Sequence, residues 1–182
     1  RQPGPLLWDR LDGWAGVHGL VASRRWEDLT LAYDARFASP DQFCSHDPSL
    51  VLPIAVALTA RARRTETDAL LACLDSHIAK ERRSASRTPR RPEHVLLFER
   101  AQLASLRSDG EAAIRLLDAA VASGWRGSLI SPDLSFCPAF DLVRRHRRFL
   151  AVEQRLRAEI AREVTKLRSG EPPGSATCAG PF

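Results

Sequence analysis

The sequence of 182 residues contains no methionine, one tyrosine and only two lysines, at positions 80 and 166. Arginine therefore supplies almost all of the positive charge. Together with the abundance of alanine and leucine, this bias is typical of a GC-rich bacterial genome. The missing methionine, and a first residue that is Arg1, predict a processed form or a piece of a longer protein.

Long apolar runs are also missing. The longest, residues 50–60, is interrupted by Pro53 and Thr59, and it falls well short of the roughly 18 residues that a membrane-spanning helix needs. We therefore predict that this chain has no membrane span. Its compartment and its oligomeric state stay open at this point.

The common catalytic and nucleotide-binding motifs are absent. The sequence contains no GxxxxGK[ST], GxGxxG, HExxH or GxSxG motif, so nucleotide, dinucleotide, zinc-protease and esterase functions lack their signatures. The chain is predicted not to be an enzyme and to need no cofactor.

The sequence has no CxxC pair, and although its four cysteines could form two disulfides, their spacing favours no particular pairing. The weak candidates for metal ligands are Cys44, His46, Cys73 and His77. Cys73 and His77 lie one helical turn apart, a spacing that can chelate zinc, and a loop holds the other two. The simpler alternative is that Cys73 is a small apolar core residue.

Positive charge is concentrated in two segments rather than spread over the chain. Residues 80–92 hold six basic residues and one acidic, and residues 141–168 hold nine basic and four acidic. The arginines that are candidates for binding phosphates or an acidic partner are Arg82, Arg83, Arg87, Arg90, Arg91, Arg144, Arg145, Arg147 and Arg148. The segment 80–92 and the arginine cluster at 144–148 lack interleaved aromatic residues, so solvated faces or contact with an acidic partner are favoured over nucleic-acid binding.

Apolar residues recur at helical spacing along most of the chain, and strand alternation is nearly missing. The pattern predicts an all-α fold of antiparallel helical hairpins. The predicted segments are a flexible lead-in at 1–5, hairpins at about 6–38, 48–79 and 92–124, a capping helix at 141–168 and a disordered tail at 169–182. Residues 39–47 and 80–92 are predicted to be loops.

The clearest helix signal is the segment 108–125, "SDGEAAIRLLDAAVASGW". Ser108 and Glu111 have the spacing of an S-x-x-E capping box, and Gly124 is placed to end the helix. Every recognisable feature of this segment serves folding or packing, so it predicts architecture and no ligand.

The three turns between paired helices align at Arg25, Thr65 and Asp109, which are 40 and 44 residues apart. This arrangement resembles the tetratricopeptide (TPR) family, whose repeat of about 34 residues pairs a small residue in each helix of a hairpin. The matching pairs are Ala57 with Ala69, Ala101 with Ala113, and Val17 with Leu29, with Trp26 and Tyr33 at aromatic positions. Loops 39–47 and 80–92 would absorb the extra length.

Residues 101–156 are similar to the closing segment of TPR regions in bacterial sensory and regulatory proteins. The similarity lies in Gly124-Trp125, Pro132-Asp133 and Arg148-Phe149. It implies a short TPR-like solenoid with a capping helix, acting as the sensor or regulatory part of a larger protein that binds a protein, a peptide or a small ligand. The alternatives are an unrelated helical bundle that binds metal or acts as an enzyme, and a helical domain that binds nucleic acid.

Overall fold

The computed structural model describes residues 14–83, 92–127 and 134–169, and within them the chain is all-α, as predicted. The α-helices of this part are α1 (Trp14–Ala22), α2 (Trp26–Arg36), α3 (Pro40–His46), α4 (Val51–Ala60), α5 (Arg64–Arg83), α6 (Glu93–Leu106), α7 (Gly110–Ala122) and α8 (Arg147–Ser169). The predicted lead-in 1–5 and nearly all of the predicted tail lie outside the described residues.

A short helix, α3, replaces the loop that was expected at residues 39–47. Its start has a strong local cause: Ser39 accepts a hydrogen bond from the backbone N–H of Gln42 at 3.2 Å, Pro40 occupies the first turn, and Asp41 places negative charge there. Phe43 and Cys44 are buried on its inner side. The loop prediction for this segment was therefore wrong, because its proline and polar residues begin a helix.

The same backbone turn joins the helices of each pair α1–α2, α4–α5 and α6–α7. A non-glycine residue with positive φ ends each first helix: Arg24 (55°), Ala62 (57°) and Ser108 (64°). Its N–H bonds the carbonyl three residues back, and the N–H of the next residue bonds the carbonyl five back. This is the Schellman geometry, and in every case the second helix begins two residues after the left-handed one.

The turn before α7 overturns the predicted capping box. Ser108 adopts the left-handed conformation and cannot cap, whereas Asp109 accepts the hydrogen bond of the Ala112 N–H at 3.0 Å. Glu111 instead forms an ion pair with Arg148. The serine serves the end of α6, because the short connection of residues 107–109 leaves only Asp109 in the capping position.

Counting from these turns shows equivalent buried positions in the three hairpins. The turns at 24, 62 and 108 are 38 and 46 residues apart. The residue seven before the turn and the residue five after it are nearly inaccessible, at no more than 4% exposure, in all three hairpins: Val17, Ala55 and Ala101 before it, and Leu29, Thr67 and Ala113 after it. In the middle hairpin, the residue equivalent to Arg25 and Asp109 is thus Arg63 rather than Thr65. The pair of buried residues equivalent to those of the other hairpins is Ala55 with Thr67.

Helix α4 lies at the centre of the molecule. It packs against its partner α5 and also against α1, α2 and α6. Its buried residues are Val51, Pro53, Ile54, Ala55, Val56, Ala57 and Leu58. A helix that is apolar on all sides must be surrounded by other elements, and here the surrounding helices come from both neighbouring hairpins.

The buried side chains form two clusters that meet at α4 and α6. The N-terminal cluster consists of residues from α1 to α5 together with Leu103 of α6. The C-terminal cluster consists of residues from α6 to α8 and the connector between them, together with Val56 of α4. Trp26 packs against both clusters, so α4, α6 and this indole join the two halves.

The connector before α8 is fixed by one arginine. Arg144 donates to the carbonyls of Leu134 and Cys137, each at 3.0 Å, and to the Asp141 carboxylate at 3.0 Å. Residues 141–146 themselves form turns, with the N–H of His146 donating to the Val143 carbonyl at 2.9 Å, so α8 begins at Arg147 instead of at 141. Helix α5 is longer than predicted. It continues through Arg83, although residues 80–92 are predicted to be a loop.

The last helix covers the exposed side of α7. Phe149, Val152 and Leu156 of α8 are buried in the C-terminal cluster, whereas Leu167, near its end, is 62% exposed. Its apolar side therefore closes the end of the helical assembly over its first half only.

No single helix within the described residues has the length and apolar character needed to cross a membrane. The criteria are satisfied only when two segments, Pro40–His46 and Pro48–Ala60, are counted together. The chain bends by 117° between them.

Candidate functional site

Two helices bring Cys44, Cys73 and His77 together. Their sulfur and imidazole nitrogen atoms all lie within 4.8 Å of one another. Cys73 and His77 are one turn apart on α5, so both point to the same side, and Cys44 reaches them from α3. We call these three residues the Cys–His cluster. It brings together three of the four ligands suggested by the sequence.

The fourth candidate ligand, His46, lies outside the cluster. It is the last residue of α3 and is exposed, and its ring lies beside Phe37 with centroids 5.5 Å apart. Cys44 and His46 are two residues apart on α3, so their side chains point to different sides of this helix, and His46 points away from the cluster.

Cys44 and Cys73 form a disulfide that sequence spacing did not reveal. Their Cα atoms are 6.5 Å apart, and 29 residues separate them along the chain. Closing a loop of this length removes entropy from the unfolded chain and should stabilise the fold by about 3.5 kcal/mol. The sequence carries no signal for this pairing, because it depends on how α3 docks against α5.

Aromatic contacts hold α3 in place independently of the disulfide. The Phe43 ring meets Phe37 and Tyr33 edge-on, with centroids 4.8 and 5.3 Å apart. These ring contacts anchor Phe43, and with it the backbone of the adjacent Cys44.

Tyr33 stays a neutral phenol in this core. Burial and the nearby Glu66 carboxylate raise its pKa to about 12, so it stays protonated.

The third described cysteine is unsuited to nucleophilic chemistry. Cys137 is a free thiol, 5% exposed, whose Sγ donates to the Gln102 side-chain oxygen at 3.5 Å. Burial raises its pKa to about 12, so the thiolate is not formed near neutral pH. Cys178 lies outside the described residues.

The first arginine segment is described only in part. Arg82 and Arg83 form the end of α5. Arg87, Arg90 and Arg91 lie outside the described residues.

The second arginine segment divides into two kinds of residue. Arg144 ties the connector together, and Arg148 forms an ion pair with Glu111 of α7. Arg145 and Arg147 are exposed and make no ion pair with a described residue. Two of the four predicted contact residues thus serve internal contacts, and two face solvent.

A series of ion pairs that sequence reasoning missed links successive hairpins. An aspartate on the second helix of each hairpin meets an arginine of the next unit: Asp34 with Arg63 at 2.8 Å, Asp75 with Arg107 at 2.6 Å, and Asp118 with Arg155 at 2.8 Å. Glu66 and Asp34 both hold Arg63 and raise the pKa of its guanidinium. We call these three pairs the inter-hairpin ladder. Only the three-dimensional register brings its members together.

No protein-family model, curated protein or solved structure shows significant similarity to this chain.

Proposed function

We propose that this chain is a non-catalytic, TPR-like binding module that serves as the sensor or regulatory part of a larger bacterial protein. The observation that carries the proposal is the repeated hairpin. Three helix pairs share one Schellman turn, and the same two positions around it are buried in each. Such repetition is the basis of helical solenoids, in which each hairpin buries its apolar face against its neighbours.

The order of helix contacts supports the stacking. The first helices of the hairpins, α1, α4 and α6, meet in sequence, since α4 contacts both α1 and α6. The inter-hairpin ladder joins each hairpin to the unit that follows it in the chain. Exposed or half-exposed ion pairs contribute about 0–1 kcal/mol each, so their main effect is on the register of neighbouring units.

A stacked array of this kind presents its first helices side by side, and a peptide or protein segment would lie across them. Because α4 is nearly enclosed, α1 and α6 would supply most of the contacts. Gly19 lies on the exposed side of α1, and nothing lies within 4 Å of a Cβ added there. This surface can therefore receive a new side chain without disturbing the core.

A selection from a displayed random-peptide library against the oxidised protein tests the proposal. We expect peptides whose binding slows amide exchange in α1 and α6. Gly19→Arg should lower the affinity of these peptides by at least about tenfold, because the new side chain occupies the proposed binding surface. The matched control is Leu31→Arg on the outer side of α2, where Leu31 is 40% exposed.

Selected peptides that protect other helices, or that respond to Leu31→Arg and not to Gly19→Arg, would contradict the proposed surface. A selection that yields no specific binder would count against the binding function itself.

A further inference from the structure

The Cys–His cluster contains a ligand set that the disulfide alone does not use. Sγ of Cys44, Sγ of Cys73 and an imidazole nitrogen of His77 lie within 4.8 Å of one another. Thiolate sulfur and imidazole nitrogen are the ligands that Zn²⁺ prefers, with metal–ligand distances of about 2.0 to 2.3 Å. Ligand atoms around one zinc ion are therefore roughly 3.3 to 3.8 Å apart, within reach of small side-chain rotations.

We propose that reduction of the Cys44–Cys73 disulfide converts the Cys–His cluster into a Zn²⁺ site with Cys44, Cys73 and His77 as its ligands. The disulfide and the metal exclude each other, because both use the same two sulfur atoms. The site is thus a redox-controlled metal site between α3 and α5, separate from the peptide-binding surface proposed for α1 and α6.

The backbone geometry suits both states. The two Cα atoms are 6.5 Å apart, a distance that a disulfide spans and that also lets two cysteines hold one tetrahedral ion. Phe43, fully buried against Phe37 and Tyr33, keeps α3 docked when the sulfur atoms part. The thiols of the reduced protein consequently remain neighbours.

The two α5 residues are the more accessible members of the cluster. Cys44 is 1% exposed, whereas Cys73 and His77 are half-buried on α5. A metal ion and a reductant would both enter from the α5 side. Since His46 lies away from the cluster, three protein ligands leave the fourth zinc position to solvent, as in zinc sites that bind an exchangeable ligand.

The conversion balances with a small dithiol as reductant. One thiolate of the dithiol attacks Sγ of Cys73, the S–S bond breaks, and Cys44 leaves as a thiolate that takes up a proton. The second thiol of the reductant then displaces Cys73 from the mixed disulfide and becomes part of an oxidised, cyclic disulfide. Two electrons and two protons pass to the protein, and Zn²⁺ later displaces both protons from the thiols.

Titration with Co²⁺ tests the inference, using the full chain with Cys178→Ser so that buried Cys137 is the one other thiol. The oxidised protein should bind no Co²⁺ at the cluster. The protein reduced with dithiothreitol, then desalted without oxygen, should bind one ion per chain. Thiolate-to-cobalt charge-transfer absorption should appear, and Zn²⁺ should remove it.

His77→Ala identifies the nitrogen ligand. It leaves the disulfide intact, so the fold of the oxidised variant can be checked by circular dichroism before reduction. We expect at least about tenfold weaker Co²⁺ binding in its reduced form, because even outer-shell substitutions at metal sites cost that much. His46→Ala is the matched control and should bind like the parent.

Equal binding by the oxidised and reduced proteins would overturn the inference. So would an unchanged affinity in His77→Ala, or a reduced protein that loses its helical signal and does not regain it with Co²⁺.

Discussion

The two halves of the molecule are held together by different means. In the N-terminal cluster, a disulfide joins α3 to α5, and the edge-on rings of Phe37 and Phe43 pack beside it. In the C-terminal cluster, the one described cysteine is a free thiol, and order depends on the Phe98–Trp125 stack and on α8. A reducing agent therefore acts on one half, whereas the other half depends on side-chain packing alone.

The comparison also shows why the halves do not behave as separate domains. Val56 of α4 belongs to the C-terminal cluster, and Leu103 of α6 belongs to the N-terminal one. Each half thus contributes a side chain to the core of the other. Damage to one half should reach the other through α4 and α6.

The largest effect is expected from Phe149→Ala in α8. Phe149 is fully buried, so its removal leaves a cavity in the C-terminal cluster and should lower the free energy of unfolding by about 4 kcal/mol. Denaturant titration measures this value. The neighbouring Leu150 is 42% exposed, and Leu150→Ala should change stability by less than about 0.5 kcal/mol. Similar losses in both variants would show that α8 does not pack on α7 as described.

Removal of the disulfide should cost nearly as much. Cys73→Ser is expected to lower the free energy of unfolding by about 3.5 kcal/mol. Without the disulfide, the loop between Cys44 and Cys73, which are 29 residues apart, is no longer closed in the unfolded chain. Amide exchange should accelerate in α3 and α5 before it does in α6 and α7. A reductant should destabilise the parent protein and leave Cys73→Ser unaffected. Uniform acceleration in all helices would contradict the assignment of the disulfide to the N-terminal half.

A smaller, stabilising effect is expected at the middle turn. Ala62 has a φ of 57°, which glycine adopts without the steric cost that a Cβ brings, so Ala62→Gly should raise stability by about 1 kcal/mol. Ala60, two residues earlier, ends α4 in helical geometry, and Ala60→Gly should lower stability by up to about 1 kcal/mol. Thermal melts of both variants measure the difference. Changes of the same sign would rule out the shared left-handed turn.

The smallest effect concerns the inter-hairpin ladder. Asp75 and Arg107 are each about half exposed, so a double-mutant cycle with Asp75→Asn and Arg107→Gln should give a coupling of about 0.5 kcal/mol that falls with added salt. Asp34 and Arg63 should couple more strongly, because Arg63 is less exposed and makes two hydrogen bonds to that carboxylate. A stronger coupling between Asp75 and Arg107 than between Asp34 and Arg63 would show that the ladder does not fix the register of the hairpins.

The sequence predicts the helical class well, because apolar spacing is a local signal. Helix ends were harder to place. Ser108 has the spacing of a cap but lies in the turn that ends the preceding helix, and only the backbone of residues 107–109 shows that Asp109 caps α7. Ser39-Pro40-Asp41 has the polar, proline-bearing composition of a loop, although the same residues are a standard helix start.

The candidate site was predictable in part. Helical spacing alone places Cys73 and His77 on one side of α5. Bringing Cys44 to them, and leaving His46 outside, depends on the docking of α3, which no local pattern encodes. The ion pairs of the ladder also depend on tertiary packing, since Asp75 of α5 meets Arg107 only in the folded chain.

The most direct test of the stacked-hairpin account is a nuclear Overhauser spectrum of the methyl-labelled protein in solution. The account predicts contacts from methyl groups of α4 to methyl groups of both α1 and α6. Contacts from α4 to one of these helices alone, or direct contacts between α1 and α6 with α4 displaced, would contradict it.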